Sequence, residues 1–365
     1  MYGLCADLHC HIWSLFSTLV DDDGWQVNSR LKTILDQFDR GCKATKEAGG
    51  DRVYIAGDLF HVRGSLKTSV LNYVTLRLRS AAREHGVQIV IMPGNHDLEE
   101  AEATSSGNST FTLDDSGPWE QEDQAIRIIQ DPTFIEEDMV AIVPWQNTRD
   151  GLRAAISEVI EEIEAQDIDL CDVDLHLHTG INGVLIGMPD HGWSPQELAD
   201  FGFDRVFSGH YHHHKVFEID ESKVVSIGAL THQTWSDVGT IAGFMLVYDD
   251  DFTQLESTAP NFIDFSDIEE IDEVAGNYVR VRETELDEAD LKDLRDRLYE
   301  AGAAGVVMQA IAKNKVVTRN GATPGKSVKI EQSITDWIAS ATDQVDACKE
   351  LEIEALDVLS EARST

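Results

Sequence analysis

Short apolar runs alternate with amphipathic stretches along the first part of the chain. Residues 51–56 and 87–92 are rich in β-branched and other apolar side chains, and each run leads directly into a turn that contains glycine. Apolar residues at helical spacing precede and separate these runs: Leu31, Ile34, Leu35, Phe38 and Cys42, then Val70, Leu71, Val74 and Leu78. The alternation of strands and helices predicts a layered α/β domain.

Capping residues and further apolar runs extend this pattern. Asn28 or Ser29 is predicted to cap the first helix, and Gly86 to close the second. Ser194 and Glu197 have the spacing of a capping box before a short helix. Further strands are predicted at residues 139–143, 172–178, 204–208, 215–219, 223–227 and 241–248, with a helix over 152–163 and a long polar loop over 99–130. The last three strands are expected to be antiparallel and linked by hairpins.

The pattern divides the chain into four parts. Residues 1–250 form the main domain of an α/β (α+β) protein, and the acidic segment 251–277 is predicted to be a linker. A β-α-β pattern over 278–326 predicts a small second domain. Residues 327–365 are predicted to form a C-terminal helical segment, with a helix over 333–363. Its apolar stripe is typical of a helix that packs on its own domain or on a partner.

Charge and cysteine content indicate the environment in which the protein works. The chain has 67 acidic and 29 basic residues and a formal net charge of −38, which repels nucleic acid at low salt. We expect a protein that works at high ionic strength, or else an ordinary acidic protein with a basic partner. The 5 scattered cysteines do not suggest a disulfide framework. No apolar window suits a membrane span and the N-terminus does not resemble a signal peptide, so we expect a cytoplasmic protein without a membrane partner.

Five polar motifs occur in a fixed order, each at the end of a predicted strand. All 13 histidines lie between His9 and His232, which points to one site. The motifs are Asp7-Leu8-His9, Gly57-Asp58-Leu59-Phe60-His61, Gly94-Asn95-His96-Asp97, a strand ending in His178, and Gly209-His210-Tyr211-His212. Cleavage of a phosphate ester requires neutralisation of the anion and activation of water, and two divalent metals supply both. The motifs therefore predict a two-metal phosphoesterase site.

The residue types suggest a role for each member of the series. Asp7 and His9, two residues apart and so on one strand face, are expected to hold the first metal together with His212. Asp58 is the expected bridge between the two metals. The expected ligands of the second metal are Asn95, His178 and His210. Mixed oxygen and nitrogen ligands suit manganese, iron or zinc.

Other polar residues near the motifs have more than one possible role. His96, next to Asn95 but out of phase with it, is the predicted proton donor. His61 could orient His96, contact phosphate or simply pack beside the bridge. Arg63 could contact phosphate and Asp97 could brace the site, although each could equally be a loop residue. His176, one pleat before His178, stays open as an alternative ligand.

These motifs together resemble those of the calcineurin-like metallophosphoesterase superfamily. The run from Gly57 to His61, with Val143-Pro144-Trp145 and Ile227-Gly228-Ala229, is similar to the SbcD-type nuclease subunits, including phage and archaeal recombination nucleases. The resemblance implies two facing sheets flanked by helices, a small capping domain and a manganese-dependent nuclease that cuts DNA. It also implies a homodimer and an SbcC-type coiled-coil ATPase docked partly on the C-terminal helical segment. A phosphoesterase for small diesters or monoesters is the alternative.

Overall fold

A computed structural model describes residues 1–100, 107–114, 125–185, 192–268, 270–282 and 288–309. The strands are β1 (Tyr2–Cys5), β2 (Leu19–Asp22), β3 (Trp25–Asn28), β4 (Arg52–Ala56), β5 (Gln88–Met92), β6 (Ile126–Ile128), β7 (Thr133–Ile135), β8 (Val140–Val143), β9 (Asp174–His178), β10 (Arg205–Gly209), β11 (Lys215–Ile219), β12 (Ser222–Ser226), β13 (Gly243–Val247), β14 (Phe252–Glu256), β15 (Phe262–Asp264), β16 (Tyr278–Val281) and β17 (Gly305–Met308). The helices are α1 (Ser29–Glu47), α2 (Thr68–His85), α3 (Arg149–Glu164), α4 (Pro195–Ala199) and α5 (Glu288–Glu300).

Two mixed sheets form the centre of the molecule. One has the strand order β14-β13-β1-β4-β5-β6 and the other β11-β12-β10-β9-β8-β7. The central strands β1, β4, β5 and β6 run parallel, as do β8, β9, β10 and β12. The motif-bearing ends of β1, β4 and β5 therefore lie at one edge of the first sheet, and those of β9 and β10 at one edge of the second.

The two sheets face each other across an apolar core. Residues of both inner faces belong to one buried cluster, including Leu4 and Tyr54 from the first sheet and Ile142 and Phe207 from the second. Helices α1 and α2 cover the outer face of the first sheet, and α3 and α4 that of the second. This arrangement confirms the expected fold of two facing sheets flanked by helices, because each amphipathic element buries its apolar side against a sheet.

Local capping interactions agree with the sequence predictions. The Asn28 side chain accepts a hydrogen bond from the backbone N–H of Leu31 and caps α1. Gly86 ends α2 in the left-handed conformation, with φ of 65°. Ser194 and Glu197 form both hydrogen bonds of the capping box at the start of α4.

Two predictions about the later strands are wrong. β11 and β12 form the expected antiparallel hairpin, but β13 pairs with β1 and β14 in the other sheet. The segment 251–277, expected to be a linker, contains β14 and β15. Its acidic residues and Pro260 favour a connector in sequence terms, but Phe252 and Phe262 provide the apolar contacts that hold these strands in place.

A small parallel sheet follows the main sheets, with the order β15-β16-β17. Residues 278–309 have the expected β-α-β order of β16, α5 and β17, and β15 adds a further strand. The rest of the predicted small domain, to residue 326, and the C-terminal helix over 327–365 lie outside the described residues. In the described part of the chain, no helix combines the length and the apolar character that crossing a membrane requires.

Candidate metal centre

The motif residues lie at or just after the ends of five strands, β1, β4 and β5 in the first sheet and β9 and β10 in the second. Asp7 and His9 follow the end of β1, so the prediction that both lie on one strand face is wrong. Instead, both residues turn the chain with positive φ, 52° at Asp7 and 47° at His9. Asp58 and His210 share this left-handed backbone, with φ of 54° and 97°. The left-handed turns bring the side chains of separate loops to one place.

Two glycines allow the loops to approach the site closely. A Cβ atom at Gly57 would lie 2.1 Å from Nδ1 of His178, and one at Gly94 would lie 2.2 Å from Oδ1 of Asp58. Gly57 also has φ of 89°, which side chains rarely tolerate. These positions therefore require glycine for the geometry of the neighbouring ligand candidates.

The first ligand cluster consists of Asp7, His9 and His212. Each offers one donor atom, and these atoms all lie within 4.8 Å of one another. Nε2 of His9 is 3.9 Å from Oδ1 of Asp7. On its far side, His212 directs Nδ1 to Oδ1 of Asp237 at 3.1 Å, which leaves Nε2 as its free donor atom. The structure thus brings together the residues predicted to hold the first metal.

The second ligand cluster consists of Asp58, Asn95, His178 and His210. Oδ1 of Asn95 lies 3.2 Å from Nε2 of His178 and 2.9 Å from Nδ1 of His210. Nδ1 of His178 contacts the backbone carbonyl oxygen of Ala56 at 2.8 Å, so Nε2 is the nitrogen that faces the cluster. The residues predicted for the second metal are therefore also brought together.

Asp58 lies between the two clusters. Its Oδ2 is 3.6 Å from Nε2 of His9 and 3.4 Å from Nε2 of His178. Asp7 and Asp58 are 0% and 1% exposed, and in the described part of the chain neither carboxylate pairs with lysine or arginine. Buried carboxylates require positive partners, and carboxylate, amide oxygen and imidazole donors suit divalent metals. The donor set therefore fits two divalent ions, with Asp58 in the predicted bridging position.

Burial governs the protonation of most of these side chains. It raises the pKa of Asp7 to about 6 and lowers the pKa of His210 to about 4. Burial opposes the charged forms of Asp58 and His178 too. Their mutual attraction nevertheless raises the pKa of His178 to about 9 and holds the pKa of Asp58 well below its usual range. A divalent ion held by Nε2 of His178 would compete with the proton on that nitrogen, so metal binding would release protons.

His96 and His61 lie together beside His9. Their rings are stacked, with centroids 5.6 Å apart and planes 14° apart. Nδ1 of His96 contacts the carbonyl oxygen of His61 at 2.7 Å, and the backbone N–H of His96 donates to Oδ1 of Asp58. Nδ1 of His61 lies 3.3 Å from Nδ1 of His9. His61 thus contacts His96 through its backbone and its ring, which is the orienting arrangement among the three that the sequence left open.

Three other predicted residues lie in different surroundings. Asp97 is fully buried and accepts hydrogen bonds from the backbone N–H groups of Leu59, Phe60 and Gly94, so it braces two motif loops. Arg63 is exposed, and in the ranges that the structure describes it forms no ion pair. His176 lies inside the sandwich, with Nε2 3.0 Å from the Tyr2 hydroxyl. Of the two histidines on this strand face, only His178 reaches the ligand clusters.

Sequence reasoning misses two supporting residues and gives a third no role. Asp237 contacts His212, and the Gln233 side chain donates a hydrogen bond to the backbone carbonyl of Asp7 at 2.6 Å. The Trp145 ring stacks on His210 with a centroid separation of 5.3 Å. In the sequence, Trp145 belongs to the run Val143-Pro144-Trp145 that resembles the SbcD-type subunits, and no role is predicted for it. The spacing of Thr234 and Asp237, which form a capping box, is the sequence signal that could have drawn attention to this loop.

Comparison with known proteins agrees with this geometry. Residues 2–214 match the family model described as calcineurin-like phosphoesterase. The DNA double-strand break repair protein Mre11 of Methanopyrus kandleri is 37% identical over 73 residues, which are 20% of this chain and only 16% of that protein.

Solved structures give weaker overall similarity. The Pseudomonas putida nuclease MPE has 16% identity and a TM-score of 0.30, with 64% of this chain and 78% of that chain covered. A dimetal phosphatase from Danio rerio has 9% identity and a TM-score of 0.38, with 67% and 90% covered. The family model covers more than half of the chain, including every motif from Asp7 to His212. The chain therefore belongs to the calcineurin-like phosphoesterase family.

Proposed function

We propose that this protein is a two-metal DNA nuclease subunit of the SbcD type, which hydrolyses phosphodiester bonds in repair, recombination or replication. Family membership implies a metal-dependent hydrolase of phosphate esters. The observation that carries two-metal chemistry is the position of Asp58, whose Oδ2 faces both His9 and His178 within 3.6 Å. The run from Gly57 to His61 and the stretch similar to Mre11 support DNA as the substrate.

The chain's residues have separate parts in this reaction. When bound, two divalent metals, manganese in this proposal, would neutralise the phosphate charge and make a water molecule nucleophilic near neutral pH. The residues that would hold them are Asp7, His9, Asp58, Asn95, His178, His210 and His212. Nδ1 of His96 donates to the His61 carbonyl, so the proton given to the leaving oxygen comes from Nε2 of the doubly protonated ring, which is left neutral with its proton on Nδ1. Arg63 contacts an outer phosphate of the substrate in this proposal.

A phosphoesterase for small diesters or monoesters is the second candidate. The net charge of −38 favours it, because a strongly negative surface repels DNA at low salt. The ligand set itself does not separate the two functions, since both require the same metals.

The test compares substrates with one purified protein in Mn²⁺. End-labelled linear DNA, bis-p-nitrophenyl phosphate and p-nitrophenyl phosphate are incubated with wild-type protein at low and molar KCl. The Asp58→Asn variant controls for contaminating nucleases. We expect DNA and the diester to be cleaved by the wild type alone. Hydrolysis of the small esters without any cleavage of DNA, with or without the ATPase partner, would support the second candidate.

The proposal includes two protein partners, a second copy of this chain and an SbcC-type coiled-coil ATPase. Residues 327–365 are the proposed docking segment for the ATPase, because their apolar stripe suits helix packing. The test is co-purification with an SbcC-type coiled-coil ATPase, for the full chain and for a chain ending at residue 326. Equal recovery of the ATPase with both chains would contradict the docking assignment, and light scattering reports the dimer.

A further inference from the structure

Asp237 lies directly behind His212 and is almost completely buried, with 1% exposure. Its Oδ1 is 3.1 Å from Nδ1 of His212. Its Oδ2 accepts hydrogen bonds from the backbone N–H groups of Gln233 and Thr234, at 2.7 and 2.8 Å. Because these backbone bonds fix the carboxylate, it holds the His212 ring in one orientation.

The same loop also holds a second member of the first ligand cluster. The Gln233 side chain donates to the backbone carbonyl of Asp7 at 2.6 Å, and Arg30 donates to the backbone carbonyl of Gln233 at 2.7 Å. Gln233 is 2% exposed, so water does not compete with these bonds. Residues 233–237 therefore contact both Asp7 and His212.

The second ligand cluster is supported differently. Nδ1 of His178 contacts a backbone carbonyl, that of Ala56, and the ring of His210 stacks on Trp145. Among the candidate ligand histidines in the described ranges, His212 is the one whose ring is hydrogen-bonded to a carboxylate outside both clusters. That carboxylate belongs to Asp237. A carboxylate behind an imidazole fixes the tautomer that presents the opposite nitrogen to the metal and makes that nitrogen a better donor.

We propose that Asp237 is a positioning residue for the first metal, and that the 233–237 loop supports the first ligand cluster without supporting the second. Asp237 acts by fixing Nε2 of His212 as the metal donor. This inference rests on the proposed two-metal function. It predicts a selective change: loss of the Asp237 carboxylate weakens one metal site and leaves the other intact.

The test is a titration of the full-length metal-free protein with Mn²⁺, followed by calorimetry and by the electron paramagnetic resonance signal of free Mn²⁺. In Asp237→Asn, the side-chain oxygen can still accept the backbone bonds, but its NH₂ group then faces Nδ1 of His212. We expect the affinity of one site to fall about 10- to 100-fold, the usual effect of removing such a partner. The other site should keep its wild-type affinity.

Two matched variants separate positioning from charge and from folding. Asp220→Asn removes the same charge at an exposed residue with φ of 53°, a conformation that asparagine tolerates, and should bind Mn²⁺ like the wild type. In a His212→Ala background, Asp237→Asn should cause no further loss of affinity. Asp237→Glu keeps the carboxylate and should bind more tightly than Asp237→Asn.

Several results would overturn the inference. These are unchanged affinity in Asp237→Asn, an equal loss in Asp220→Asn, equal weakening of both sites, or an equal further loss in the His212→Ala background. Wild-type protein that binds no Mn²⁺ would overturn the proposed function as well. The titration contains no substrate, so a failure to cleave DNA leaves its result intact.

Discussion

His96 is held at two points beside Asp58, the proposed bridge. Its backbone N–H donates to Asp58, and Nδ1 contacts the His61 carbonyl. We expect His96→Ala to lower kcat for DNA by about 10²- to 10⁴-fold, with unchanged Mn²⁺ content. The loss should be much smaller for bis-p-nitrophenyl phosphate, because nitrophenolate leaves without a proton. Equal losses for both substrates would contradict the role of His96 as proton donor.

His176 gives a prediction about stability and pH. Burial lowers the pKa of this histidine to about 3, so the folded protein keeps it neutral while the unfolded chain takes up a proton below about pH 6.5. Stability is therefore lost as the pH falls from about 6.5 towards 3. When the pH falls from 7.5 to 5.5, His176 should lower the free energy of unfolding by about 1 kcal/mol.

The His176→Gln variant isolates this contribution. Glutamine can still donate a hydrogen bond to the Tyr2 hydroxyl but does not titrate. Urea denaturation at both pH values should show a smaller loss of unfolding free energy in the variant, by about 1 kcal/mol. An identical loss in both proteins would mean that His176 is not held neutral.

At the level of single residues, the sequence predicts the ligand candidates because each lies at or just after the end of a predicted strand. It does not separate His176 from His178, since side chains two residues apart share a strand face. In the structure, His178 lies at the end of β9 beside Asn95, whereas His176 lies inside the sandwich beside Tyr2. Asp237 follows no strand, and the capping spacing around it is common at ordinary helix starts, so its contact with His212 depends on tertiary packing.

At the level of elements, Asp174 and Arg205 join the starts of β9 and β10. They form a buried two-bond ion pair, at 2.6 and 2.8 Å, and the Tyr2 hydroxyl also donates to Asp174. Removing one partner leaves a buried charge, so Arg205→Met should lower the free energy of unfolding by about 3–5 kcal/mol. Chemical denaturation measures this change.

The matched control lies one strand away. Lys223 of β12 pairs with Asp251 at 3.5 Å, but the two side chains are 36% and 73% exposed. Lys223→Met should therefore cost less than about 1 kcal/mol. Similar losses for Lys223→Met and Arg205→Met would show that burial does not determine the strength of these pairs.

Element order is easier to predict than strand pairing. Periodicity predicts α1, α2 and most strands of the two main sheets, since each element carries its own apolar pattern. It does not predict that β13 crosses to β1, because both possible positions bury the same apolar face. The two strands in 251–277 are missed because their apolar residues, such as Phe252 and Phe262, stand among many acidic ones.

At the level of the whole molecule, the net charge of −38 sets the expected response to salt. The screening length falls to about 3 Å at 1 M salt, which reduces repulsion among surface carboxylates. We therefore expect Tm to rise by several degrees between 0.1 and 2 M KCl. Sucrose of equal osmolality, which stabilises proteins without screening, is the control. A Tm that is flat in KCl would contradict adaptation to high ionic strength.

The left-handed backbone and complete burial of Asp7 mean that the site opposes the folding of the metal-free chain. Burial raises the pKa of this carboxyl to about 6, so its charged form costs about 2–3 kcal/mol near pH 7.5. Asn tolerates the same backbone without the charge, so Asp7→Asn should melt higher than the wild type in EDTA. Excess Mn²⁺ should reverse this order of melting temperatures, because the wild type gains the binding energy of the first metal site, which Asp7→Asn weakens.

If the wild type and Asp7→Asn have the same order of melting temperatures in EDTA and in Mn²⁺, the Asp7 carboxylate does not destabilise the metal-free protein. Otherwise function and stability compete at this residue. Selection for thermal stability alone, in a medium without metal, would then remove this aspartate and inactivate the enzyme while the fold improved.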